Sequence, residues 1–142
     1  MYEKVIIPVD GSEPSKEAVK QGVELAKATG IKVLALYVIE TTAFASIPPD
    51  SLTTDIHSLL NKEAHETVNY VVREGKRIGV YVETKIVEGA PSEQIIKNSG
   101  PNDLIVLGTK GRTGLEKILL GSVAENVVHH ASCPVMVVRK SE

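Results

Sequence analysis

The chain has 142 residues, a formal net charge of −2, 42% hydrophobic and 24% charged residues. That is the size and balance of one ordinary globular domain. The near-neutral charge argues against a protein that binds bulk nucleic acid or anionic membrane, and 4% aromatics, with no Trp and a single Phe (Phe44), against a base-stacking platform. The single cysteine, Cys133, excludes an intramolecular disulfide and fits a reducing compartment. The opening MYEKVIIPVDGSEPS turns polar too early for a signal peptide, and no apolar run approaches the ~20 residues of a membrane span. The sequence therefore reads as a cytoplasmic protein.

In chain order, Lys4–Val9 (KVIIPV) is β-branched and apolar, the pattern of a buried strand. Asp10-Gly11-Ser12 breaks it. Ser12 suits a helix N-cap, and Pro14 suits a first helical turn. Ala18, Gly22, Leu25 and Ala26 then recur at helical spacing until Gly30. Lys32–Ile39 (KVLALYVI) is a second buried strand. Residues 40–52 form a long connection containing Pro48-Pro49, a length associated with functional or mobile loops. Ile56, Leu59, Leu60, Ala64, Val68, Val71 and Val72 mark one face of a long amphipathic helix, with Gly75 and Gly79 near its end.

Tyr81–Val87 is a third strand, its interleaved charges suited to a sheet edge. Gly89-Ala90-Pro91 is a turn from which Pro91 opens a helix through Ile95 and Ile96. Residues 98–102 carry turn chemistry. Asp103–Leu107 (DLIVL) is a fourth strand ending at Gly108. Val123, Ala124, Val127, Val128 and Ala131 make a last helical face, and Pro134–Val138 a fifth strand. Apolar strands alternating with helices predict one α/β domain spanning residues 1–142, a parallel sheet covered on both faces. The order 3-2-1-4-5 is a common doubly wound arrangement of five strands. In it, ligands sit where the order reverses, beyond the carboxyl ends of strands 1 and 4.

Those two ends carry Pro8-Val9-Asp10-Gly11-Ser12 and GTKGRTGLEKILLGS (108–122), with Tyr37-Val38-Ile39 alongside. Glycines allow close backbone approach to a ligand, and successive N–H groups can cradle an anion. A helix beginning at Gly121-Ser122 would add free N–H groups and a partial positive charge. Ser122 with Glu125 also reads as a capping box, which competes for the same hydroxyl. The stretch contains neither GxGxxG nor GxxxxGK[ST].

Gly108-x2-Gly111-x9-Gly121-Ser122 resembles the G-2x-G-9x-G-[ST] signature of the nucleotide-binding branch of the universal stress protein family. Pro8-Val9-Asp10-Gly11-Ser12 resembles the family's opening strand and P-x-D turn. Tyr37-Val38-Ile39 resembles the end of its second strand. Ser122–Val127 and Cys133–Val138 resemble its last helix and strand. The likeness spans essentially the whole chain and is weakest at 40–55.

The resemblance implies the 3-2-1-4-5 fold and bound ATP. Asp10 would lie at the ribose and base, the Val38 backbone would read the adenine edge, and Pro8 and Val9 would wall the pocket. Gly108, Gly111, Gly121 and Ser122, with the Val123 backbone, would hold ribose and phosphates. Mg²⁺ or Mn²⁺ would bridge the phosphates, and Lys110 and Arg112 could add charge. AMP, ADP or a cyclic nucleotide are alternative ligands. The family also implies a homodimer through Pro134–Val138, whose apolar edge needs a cover.

His57 and His65 lie eight residues apart, about 80° around a helix axis, so joint metal binding is disfavoured. His129-His130 at a helix end complement its dipole. Cys133 reads as a small core residue. No Ser–His–Asp set or water-activating carboxylate stands out, so no catalytic residue is assigned. A regulatory nucleotide-binding module is the leading reading. A slow metal-dependent ATPase or phosphotransfer enzyme, and a nucleotide-free structural or chaperone-like dimer, are the alternatives.

Overall fold

A computed structural model describes residues 1–40, 54–109 and 120–139. Its elements are β1 (Lys4–Pro8), α1 (Glu13–Thr29), β2 (Lys32–Glu40), α2 (Thr54–Ile78), β3 (Val82–Gly89), α3 (Pro91–Lys97), β4 (Asp103–Gly108), α4 (Ser122–His130) and β5 (Val135–Val138). The strands form one parallel sheet in the order β3-β2-β1-β4-β5. The reversal expected between strands 1 and 4 is present.

The two faces of the sheet bury two separate cores, because successive residues of each strand point to opposite sides. Val5, Ile7, Val33, Ala35 and Val106 pack with Ala18, Val19 and Val23 of α1 and Ala64, Val68 and Val71 of α2. Ile6, Leu34, Leu36, Ile105 and Leu107 pack with Ile95 of α3 and Ala124 and Val127 of α4. Burial on both sides is why the central strands read as unbroken apolar runs.

The ends of α1 follow from its sequence. Ser12 caps it by accepting from the Ser15 N–H at 3.2 Å. At the other end Gly30 takes φ 72°, while the Ile31 N–H reaches the Ala26 carbonyl. Within α1, Gly22 lets the helix lie close on β1. A Cβ there would stand 2.6 Å from Ile7 Cδ1.

Four expectations shift. Glu40 belongs to β2 rather than to the connection after it, and residues 41–53 lie outside the described residues. β3 runs Val82–Gly89 because it follows β2 to the end, pairing Glu40↔Gly89. Ile56 and Leu59 are exposed, so the packed face of α2 begins at Leu60. A helix of 25 residues is about 37 Å long, whereas nine residues of strand span about 30 Å, so α2 outruns the sheet it covers. Cys133 is half-buried at the margin of the second core rather than inside it. No helix among the described residues is long and apolar enough to cross a membrane.

Candidate functional site

At the carboxyl edge of the sheet, β1 stops short of both neighbours. Its register with β2 ends at Pro8↔Leu36, followed by a last hydrogen bond from the Val9 N–H to the Leu36 carbonyl (2.9 Å). β2 continues for Tyr37–Glu40, held by β3, a wall about 13 Å deep. On the other side the β1–β4 register ends at Ile6↔Ile105, while β4 runs on to Gly108↔Val138.

Pro8 supplies a reason for the break. In a parallel pair, alternate residues bond to alternate neighbours. Val9 faces β2, so Pro8 faces β4, and it has no N–H to give. The result is a notch between β2 and β4, floored by the Pro8–Asp10 turn.

One wall of the notch presents unused main chain. The Val33 N–H donates to the Tyr81 carbonyl on the β3 side, and the Leu36 carbonyl accepts on the β1 side. By the same alternation, the N–H and C=O of Val38 point to the β1 side, beyond the last bond that β1 makes. Tyr37 and Ile39 are core residues, whereas the Val38 side chain is half-buried on the opposite face.

The floor is built by a closed set of local hydrogen bonds. Asp10 Oδ1 accepts from the Ser12 N–H (2.9 Å), Ser15 Oγ accepts from the Asp10 N–H (3.2 Å), and Ser12 Oγ accepts from the Ser15 N–H. Gly11, between them, takes φ 83°. Asp10 and Pro8 are half-buried, and the Val9 side chain is buried in the first core.

On the far side lie the described ends of the glycine-rich stretch, residues 108–109 and 120–122. Thr109 is buried, and its N–H donates to the Val138 carbonyl at 3.0 Å. Its own carbonyl accepts from the Gly121 N–H at 2.7 Å. Thr109 and Gly121 are therefore clasped together at the tip of β4. Gly111 and Arg112 fall outside the described residues, as does Lys110.

Gly121, not Ser122, is the N-cap of α4, and its carbonyl accepts from the Glu125 N–H at 2.9 Å. The capping box expected from Ser122 and Glu125 is thus corrected. Ser122 is the first helical residue, one position too late for its hydroxyl to cap. The N–H groups of Ser122, Val123 and Ala124 have no acceptor within the helix. Ser122 and Val123 are exposed.

The structure therefore brings Pro8, Val9, Asp10, Val38, Gly108, Gly121, Ser122 and Val123 to one edge, from four separate elements. The amino ends of α1 and α4 share that edge, each a site of partial positive charge. Such an arrangement can hold an anion against N–H groups and a flat polar ring against exposed main chain.

The matching family model spans residues 1–139 and describes the universal stress protein family. This chain belongs to that family. Among curated relatives, a universal stress protein of Methanocaldococcus jannaschii, MJ0531, is 42% identical over 142 residues, covering 99% of this chain and 84% of the relative. YxiE of Bacillus subtilis, also a universal stress protein, is 29% identical over 148 residues, covering 98% of this chain and all of the relative.

Among solved structures, MJ0577 of M. jannaschii superposes with a TM-score of 0.84 at 32% identity, covering 100% of this chain and 99% of that one. A universal stress protein crystallised in complex with cAMP gives a TM-score of 0.70 at 26% identity, covering 99% of each chain.

Outside the notch, chemistry is sparse. No group of three His, Cys, Asp or Glu among the described residues could hold a metal ion. His57, His65, His129 and His130 are exposed, and His130 Nδ1 lies 3.0 Å from the Asn126 carbonyl in the last turn of α4. Burial pushes the Cys133 thiol above its usual range. The nearby Asp103 charge adds to this, and the Ile105 backbone and Ser99 hydroxyl oppose it. Such a thiol is a poor nucleophile.

Proposed function

We propose that the chain is an ATP-binding regulatory protein whose nucleotide lies in the notch between β2 and β4. The observation that carries the reading is the early end of β1, which leaves a crevice at the point where the strand order reverses. Its two walls offer different chemistry. The Val38 main chain suits an adenine edge, which carries both donors and acceptors. The α4 amino terminus and the glycine-rich stretch suit phosphates. Asp10 sits between them, where a ribose would lie. The relative crystallised with cAMP supports an adenine nucleotide as the ligand class.

The chain's own part is to bind and orient. α4 would present its first N–H groups to phosphate oxygens, with the Ser122 hydroxyl released from capping to join them. A Mg²⁺ or Mn²⁺ ion would neutralise phosphate charge, held chiefly by the nucleotide itself, since the described residues gather no ligand set of their own. No described carboxylate is assigned as a base, so the reading is binding with a conformational or assembly readout rather than turnover.

The same reading includes a homodimer through β5. Both sheet edges are strands of different character. β3 carries Glu83, Lys85 and Glu88, charges that discourage pairing, whereas β5 reads VMVV with Met136 39% exposed. A second copy pairing antiparallel along β5 would cover it.

The test is nucleotide binding and turnover measured on the same samples. Wild type should bind MgATP and release phosphate at no more than a trace rate, and Asp10→Ala should weaken binding. Rapid multiple turnover that Asp10→Ala abolishes would favour an ATPase instead.

A further inference from the structure

We infer that Gly108, the first glycine of the spaced motif, is a positioning residue that sets Asp10 through the first turn of α1. The space a Cβ at Gly108 would occupy is already taken by α1. Such an atom would stand 2.8 Å from both the carbonyl carbon and oxygen of Pro14 and 2.9 Å from its Cβ. Two of those three atoms are backbone, so no side-chain rotation relieves the overlap. The lack of a side chain at 108 is thus accounted for by the first turn of α1, with no ligand required.

That turn is the one holding the notch floor. Pro14 lies between Ser12, the cap, and Ser15, whose Oγ accepts from the Asp10 N–H, while Asp10 Oδ1 holds the Ser12 N–H. Gly108 therefore reaches Asp10 through Pro14 and Ser15. β4 cannot easily yield in its place. It is a central strand, and its end is pinned by Thr109 to both Val138 and Gly121. A methyl group at 108 would move the first turn of α1, and with it Asp10. The motif glycine and the aspartate of the first turn are then one device, closing two chain segments about a hundred residues apart into a single fixed geometry. The inference rests on the proposed nucleotide reading for its ligand.

The experiment combines amide hydrogen exchange at Asp10 with calorimetric titration of MgATP, on wild type, Gly108→Ala, Pro14→Gly and Ser15→Ala. All three variants should expose the Asp10 amide to exchange and bind MgATP about tenfold more weakly or worse. Gly108→Ala that loses ATP while keeping Asp10 protected would overturn the inference, because Gly108 would then act by direct contact. So would Gly108→Ala that keeps both, or Ser15→Ala that exposes Asp10 with ATP affinity unchanged. Should Gly108→Ala fail to fold, Pro14→Gly and Ser15→Ala decide. Loss of Asp10 protection and ATP affinity in both supports the linkage, and retention of either property in both overturns it. If wild type itself binds no ATP, the nucleotide reading falls, while the Asp10 amide still reports whether Gly108 holds the turn.

Discussion

Helix α1 delivers the Ser12–Ser15 turn to the notch, and its seat on β1 depends on one close approach. A Cβ at Gly22 would lie 2.6 Å from Ile7 Cδ1, 3.0 Å from Ile7 Cγ1 and 3.6 Å from Val106 Cβ. Ile7 is fully buried, so the displaced methyl has little free space to enter. Gly22→Ala should carry about 1–3 kcal/mol of overpacking, offset by roughly 1 kcal/mol of helix propensity gained over glycine. Ile7→Val deletes Cδ1, the atom in the way, and alone should cost about 0.5–1.5 kcal/mol. In the double variant the methyl added at position 22 takes the place Cδ1 gave up. The 2.6 Å overlap is then gone and only the 3.0 Å approach to the carbon at Cγ1 is left, while the propensity gain remains. The pair should therefore be coupled by about 1–2 kcal/mol in the favourable direction. Urea denaturation of the four proteins measures this, provided the slope stays constant across the set. Additivity within about 0.5 kcal/mol would refute the packing argument. It would mean that α1 accommodates a methyl by sliding, and that its position over β1 is not fixed by Gly22.

Two further outcomes are expected. Val137→Pro should leave one chain folded but abolish self-association in sedimentation experiments. In β5 the groups bonded to β4 belong to Met136 and Val138, by alternation from the Ile105–Pro134 and Thr109–Val138 bonds, so Val137 offers its N–H to the outer edge. A variant that still sediments as a dimer would place the interface elsewhere. Cys133 should alkylate slowly at neutral pH, with a rate still climbing above the usual thiol range, because burial and Asp103 both disfavour the thiolate. A rate that levels off near neutrality would contradict that environment.

Much of this arrangement is legible in the residues themselves. Ser12 and Gly30 bound α1 because a hydroxyl cap and a left-handed glycine leave distinct signatures, and both act as expected. Buried β-branched runs alternating with helices imply a parallel sheet, whereas the order 3-2-1-4-5 comes with the family resemblance and is the order observed. The failures have local causes. Ser122 and Glu125 have capping-box spacing, but Gly121 is fastened to Thr109, which fixes the helix start one residue earlier. Ile56 and Leu59 keep the helical period of the core, yet α2 extends past the sheet that would bury them. The spacing of Gly108 suggests a ligand contact. Only its distance to Pro14 reveals a packing role, and no periodicity encodes a contact between segments so far apart. Pro8 was legible as a motif residue. That its missing N–H would end pairing with β4 depends on which neighbour it faces, and the register decides that.

The central claim is that the notch binds an adenine nucleotide. Calorimetric titration of MgATP into nucleotide-stripped protein, repeated with MgGTP and with Gly111→Val, tests it most directly. Saturable MgATP binding, much weaker MgGTP binding and loss of the signal in the variant are predicted. A folded wild-type protein that gives no heat with MgATP would contradict the claim and leave the glycine-rich stretch as a turn leading into a helix.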